Sequence, residues 1–130
     1  MLVRSRLELV SLASARFDDG KADAPDLIER QNSRPDFQGL IYPGRSGDIQ
    51  PTKDSPPVFL ACAYNDRKDI SEGLAEVYLR FKRAGVPAEL HIYASGGHGF
   101  GLRANNGKPV GTWIVRFEDW LADSGFLKHP

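Results

Sequence analysis

Three short apolar runs mark the middle of the chain: Phe37 to Tyr42, Val58 to Ala63 and Ala88 to Tyr93. The second is apolar at every position, the pattern of a parallel strand covered on both faces. The third alternates, with Leu90 and Ile92 set against Glu89 and His91, which predicts a strand nearer a sheet edge. Between them Ile70, Leu74, Val77, Tyr78 and Phe81 recur at helical spacing. Asp69 or Ser71 is placed to cap this helix. Asp69 with Glu72 has capping-box spacing, with Asp in place of the usual Ser or Thr. Gly85 can close the helix in a left-handed conformation, and Pro87 prevents its continuation. A last helix is written in Val110, Trp113, Ile114, Phe117, Trp120 and Leu121, with Thr112 or Gly111 at its start and Gly125 at its end. Near the N-terminus, Leu7 to Ala15 suits a helix by propensity, whereas Val3, Ser5, Leu7 and Leu9 alternate with Arg4, Arg6 and Glu8 as a strand would; a helix is the favoured expectation.

Strand, helix and strand with short joints form a βαβ unit, so the strands should run parallel with a right-handed crossover. The element order is helix, strand, strand, helix, strand, helix. That predicts an α/β fold with about three parallel strands and flanking helices, and the 130 residues suffice for one domain.

In such sheets ligands meet residues at the C-terminal ends of the strands. Asp66 lies just past the second strand, in Ala63-Tyr64-Asn65-Asp66-Arg67-Lys68-Asp69. His98 lies just past the third, in Gly96-Gly97-His98-Gly99-Phe100-Gly101. A histidine that takes a proton from a serine needs a carboxylate on its other ring nitrogen, and two adjacent strand ends can supply that pair. Each residue also has a plainer reading, His98 as a turn residue in a glycine-rich loop and Asp66 as a turn cap. Asp69 is a rival acid whose position suits helix capping. His91 reads as structural, Trp113 and Trp120 as core, and Tyr64 as the border of a pocket. No Gly-Lys-Ser/Thr follows the glycines, so the loop is not a P-loop.

Charge and composition narrow the classes. Lys plus Arg equals Asp plus Glu at 17 each, with 41% hydrophobic and 26% charged residues. No basic block or net field draws nucleic acid or an anionic membrane. The single cysteine, Cys62, can form no internal disulfide, and a zinc site would need more ligands. The apolar runs are too short to span a bilayer. Met1-Leu2-Val3-Arg4-Ser5-Arg6 lacks the apolar core of a signal peptide. The default expectation is therefore cytoplasmic, with secretion left open if the true N-terminus lies upstream. Neither cofactor nor metal is expected.

Several of these segments together resemble a known family. They are Pro57-Val58-Phe59-Leu60-Ala61, Asp66, Arg83-Ala84-Gly85-Val86-Pro87-Ala88-Glu89-Leu90-His91-Ile92-Tyr93 and Gly96 to Leu102. Upstream Arg34-Pro35-Asp36-Phe37 with Leu40-Ile41-Tyr42-Pro43, and the closing Trp113, Arg116 and Asp119-Trp120-Leu121, add to them. The set resembles the acetyl-esterase and feruloyl-esterase-like (dienelactone-hydrolase-like) branch of the α/β-hydrolases, in its C-terminal portion and over roughly residues 7 to 127. The order acid, then histidine, matches the later part of the hydrolase order Ser, Asp/Glu, His.

The resemblance implies a single partial domain over 1–130 that lacks the N-terminal strands and the nucleophile elbow. It implies a carboxylic-ester hydrolase with His98 as base and Asp66 as acid, Asp69 being the nearest alternative. The implied substrate is a small-molecule or carbohydrate-linked ester. The family's nucleophile sits in a Gly-x-Ser-x-Gly turn just before the helix that Leu7 to Ala15 resembles. Here that place reads Met1-Leu2-Val3-Arg4-Ser5-Arg6-Leu7, with no glycine beside Ser5, so the nucleophile serine is not expected in this chain. A second expectation belongs to a different class: a catalytically inactive half-domain that binds a partner or self-associates through an uncovered sheet edge at Phe37 to Tyr42.

Overall fold

A computed structural model describes residues 10, 13–103 and 107–127. Three strands, β1 (Gln38–Ile41), β2 (Val58–Ala63) and β3 (Ala88–Tyr93), form one sheet in the order β1-β2-β3. Both pairings are parallel, with Leu40 beside Leu60 and Leu60 beside Leu90. Helix α1 (Lys68–Arg83) joins β2 to β3, and α2 (Trp113–Asp123) follows a 3-10 turn at Pro109–Thr112. This is the α/β architecture that the periodicities predict.

The central strand is apolar on both faces because helices cover both. All six residues of β2 are buried, and successive side chains point to opposite faces. Val58, Leu60 and Cys62 pack with Ile70, Leu74, Val77 and Phe81 of α1. Phe59, Ala61 and Ala63 pack with Trp120, Phe100 and Val110. On that second face the rings of Phe37, Phe59, Phe117, Trp120 and Phe126 meet at centroid distances of 5.1–6.1 Å.

Both helices end as their glycines predict. Gly85 takes φ 74° and Gly125 φ 78°. The amide of Val86 donates to the Phe81 carbonyl and that of Gly85 to Lys82; Phe126 and Gly125 donate likewise to Leu121 and Ala122. These are paired Schellman closures, and Phe81 against Val86 supplies the accompanying apolar contact.

The helix starts differ from expectation. Helix α1 begins at Lys68 with Arg67 at the N-cap position, and no side chain caps it. Asp69 lies inside the first turn, where its charge favours the helix dipole, and its carboxylate holds Arg67. Glu72 pairs with Lys68 instead of closing a capping box. Thr112 occupies the N-cap position of α2, but its hydroxyl donates backward to the Pro109 carbonyl. Two apolar assignments also change. Ile92 is 43% exposed and Ile114 41% exposed. Ile92 lies on an edge strand and opens onto a cavity between β3 and the start of α1, and Ile114 lies at the margin of the Phe117–Trp120 stripe that faces the sheet. Of the N-terminal segment, Val10 and Ala13–Ala15 are helical; the remaining positions of the expected Leu7 to Ala15 helix, and Met1 to Arg6, lie outside the described residues.

A tight contact ties α1 to the loop after β1. The Ser46 hydroxyl donates to the Asp69 carbonyl at 2.6 Å, and Arg80 Nη1 donates to the Ser46 and Ile49 carbonyls at 2.8 and 3.2 Å. Gly73 sits under Ser46, where a Cβ would overlap both side-chain atoms of that serine. Helix propensity alone would make Gly73→Ala stabilising by about 1 kcal/mol. The overlap reverses the sign, and a loss of about 1–3 kcal/mol is expected in urea unfolding. Ser46→Gly should recover most of that loss in the double variant.

Candidate active site

The C-terminal ends of the three strands converge on one edge, and the loops that leave them carry the candidate residues. β2 ends at Ala63, whose carbonyl accepts the Asp66 amide at 3.1 Å and so turns the chain. The Asp66 carboxylate is fully buried. Its Oδ1 accepts the Arg67 amide at 2.7 Å, and its Oδ2 lies 3.1 Å from His98 Nδ1. The imidazole is about half exposed. An ionised carboxylate only accepts, so this contact requires the proton on Nδ1 and leaves Nε2 with a free lone pair.

The loop that carries His98 needs its glycines. Gly97 and Gly99, on either side, have φ of 65° and 73°, which only glycine adopts at no steric cost. Two bonds anchor the loop from outside. Asn65 Oδ1 accepts the Gly97 amide at 2.9 Å, and Trp113 Nε1 donates to the Gly101 carbonyl at 2.6 Å. Phe100 is buried between them.

The structure separates the two acids. Asp69 receives Arg67 through Nε and Nη2, both at 3.0 Å. That bidentate bond holds its carboxyl below the usual carboxylate range. Asp69 is thereby occupied by Arg67, and Asp66 is the acid that faces the histidine. His91 bonds Glu89 at 2.7 Å and lies against the Phe59 ring on the sheet face; it does not reach the strand-end loops. Tyr64 is exposed and borders a cavity of about 320 Å³ shared with Asp66, Lys68, Ser71, Glu72 and Ile92.

Two neighbours escape a reading of the sequence alone. Asn65 pins the histidine loop, and Tyr42 sets its ring edge-to-face against His98 at 5.1 Å and Phe100 at 4.7 Å. The available signal was position: Tyr42 closes β1 just before Pro43-Gly44, and Asn65 adjoins the acid.

Cys62 lies within β2, four positions before Asp66, and is completely buried. Burial, and secondarily the Asp66 charge, push its thiol up to about 11, leaving roughly a thousandth ionised at pH 8. Labelling by Ellman's reagent in the folded chain is therefore expected to be at least about 100-fold slower than in urea. Equal rates would show that the β2 core opens freely.

Among the described residues, no group of three His, Cys, Asp or Glu side chains is placed to hold a metal ion, and no helix is long and apolar enough to cross a membrane.

A parallel sheet covered on both faces, with an acid and a histidine bonded across adjacent strand ends, defines an α/β protein whose candidate residues gather at the C-terminal edge of the sheet. Solved structures make the class narrower. The chain is similar to an acetyl ester-xyloside bifunctional hydrolase from Caldicellulosiruptor lactoaceticus, with 28% identity and a TM-score of 0.79 over 92% of this chain and 54% of that one. It is similar in fold to a carboxylesterase from Lactobacillus plantarum (17% identity, TM-score 0.63, 95% of this chain and 57% of that one). An α/β-hydrolase enzyme from a Medee basin deep-sea metagenome library matches at 20% identity and TM-score 0.62, over 91% of this chain and 50% of that one. The chain has a partial α/β-hydrolase fold and spans about half the length of these structures. No protein-family model matches it, and no curated protein does.

Proposed function

We propose that this chain carries the acid and the base of a carboxylic-ester hydrolase of acetyl-esterase type, and that the nucleophilic serine comes from polypeptide outside these 130 residues. The observation that carries the reading is the 3.1 Å contact between Asp66 Oδ2 and His98 Nδ1 on neighbouring strand ends. It leaves Nε2 to take the serine proton as the oxygen attacks the ester carbonyl. The imidazolium then returns that proton to the departing alkoxide, and a water repeats the sequence on the acyl-enzyme. Asp66 fixes the tautomer and offsets the imidazolium charge. The likeness to an acetyl ester-xyloside hydrolase favours a small acyl group on a small-molecule or carbohydrate alcohol.

The cheapest test is to read the coding DNA upstream of Met1 for an in-frame Gly-x-Ser-x-Gly. The direct test mixes this chain with the part of the acetyl ester-xyloside hydrolase that lies outside its match to this chain. Hydrolysis of p-nitrophenyl acetate is expected from the pair and not from either part. A pair that hydrolyses equally fast with His98→Ala would refute the assignment.

A second reading is a half-domain that binds or self-associates without catalysis. It is favoured by β1, whose Leu40 and Ile41 are buried although, among the described residues, no strand pairs with its outer edge. Size-exclusion chromatography of the purified chain tests it, and a well-folded monomer with esterase activity would rule it out.

A further inference from the structure

Tyr42 is a non-glycine residue at φ 43°, and Pro43 follows it. Positive φ is unfavourable for an aromatic side chain, and the α region is further disfavoured before proline. Such an outlier persists only where its surroundings over-determine it. Here the Tyr42 amide donates to the Ala61 carbonyl at 2.7 Å, extending the β1–β2 ladder by one residue. The side chain packs against the residues on both faces of the sheet. Its ring meets His98 edge-to-face at 5.1 Å, interplanar angle 65°, and Phe100 at 4.7 Å and 83°.

His98 needs such a contact. Glycines at positive φ flank it, and its ring is about half exposed. One bond to Asp66 sets the distance of Nδ1 but leaves the ring free to swing about that atom. The Asn65 bond to Gly97 holds the backbone, not the imidazole. We infer that Tyr42 is a positioning residue: its aromatic ring, held by the strained turn at the end of β1, fixes the plane of the His98 imidazole so that Nδ1 stays on Asp66 and Nε2 faces the open edge. This rests on the acid–histidine reading above. The aromatic ring carries the role, and the phenol oxygen does not.

The experiment uses the 130-residue chain and two-dimensional NMR of its imidazole nitrogens. The readout is the tautomer of the neutral His98 ring, read from its Nδ1 and Nε2 shifts. In the unaltered chain and in Tyr42→Phe the form with hydrogen on Nδ1 is expected to dominate, and Asp66→Asn should move the ring toward the form with hydrogen on Nε2. In Tyr42→Leu, which retains bulk without a ring, the ring should show more than half of that movement with Asp66 still in place. If Tyr42→Leu does not fold, Tyr42→Gly takes its place, because glycine accepts the positive φ and removes the ring. An undiminished Nδ1–H population in the ring-less variant would overturn the role of Tyr42. A ring whose tautomer ignores Asp66→Asn in every background would overturn the acid–histidine reading itself, so the two failures are distinguishable.

Discussion

Asp66→Asn is expected to lower ester turnover by the reconstituted hydrolase about 10⁴-fold, the loss that follows when the orienting acid of a Ser-His-Asp triad becomes an amide. The reason lies in the proton count at the 3.1 Å contact. The Asp66 carboxylate only accepts, so it selects the tautomer with hydrogen on Nδ1. An asparagine can turn its amide N–H toward Nδ1, which then accepts, and the ring proton moves to Nε2. The nitrogen that should receive the serine proton is then occupied. The loss should fall on kcat with little change in KM, because the Asp66 side chain is completely buried behind the imidazole. His98→Ala should cost more, about 10⁶-fold. Asp69→Asn is the control: Asp69 holds Arg67, so turnover should hardly change. Equal losses from Asp66→Asn and Asp69→Asn, or a loss under about tenfold from the former, would remove Asp66 from the mechanism.

The largest effect on stability is expected at Phe59. It is completely buried in the central strand, and its ring lies 5.1 Å from Phe117, 5.8 Å from Trp120 and 5.2 Å from His91. Phe59→Ala should cost about 3–5 kcal/mol. The site cannot collapse to fill the space, because β2 is hydrogen-bonded on both sides to β1 and β3. Domains of this size hold only about 5–15 kcal/mol in total. Urea unfolding followed by the fluorescence of Trp113 and Trp120, both packed on that face, should show the midpoint fall by roughly 1–3 M. Leu79→Ala, on the exposed side of α1, serves as the comparison and should shift it little. A Phe59→Ala midpoint close to that of the unaltered chain would mean that the aromatic cluster is not the core of the fold.

Much of the architecture was legible in the residue order. The continuous apolar run at Val58 to Ala63 signalled a strand covered twice. The 3.6-residue recurrence from Ile70 to Phe81 signalled the crossover helix. Gly85 and Gly125 marked the helix ends because their left-handed conformation is a local requirement. The helix starts were less legible. Asp69, Ser71 and Glu72 looked like capping groups, but capping competes with ion pairing, and the Arg67 and Lys68 side chains took both acids. Ile92 and Ile114 were assigned to apolar faces by periodicity, yet exposure depends on which neighbouring layer is present.

At the site, the sequence by itself determined which residues could meet: an acid after β2, a histidine after β3, and glycines that free the loop. Those are properties of position along a strand–loop–helix pattern, and they follow from short-range periodicity. Only the tertiary structure decided that Asp66, and not Asp69, lies against His98, that Asn65 holds Gly97, and that Tyr42 covers the imidazole. The acid and histidine are 32 residues apart, as are Asn65 and Gly97. Which atoms touch across such a span depends on the sheet register and on the turn at each strand end. The turn at Tyr42 was hidden for the same reason: nothing local favours positive φ before a proline, and only the packing of both sheet faces around that ring holds it there.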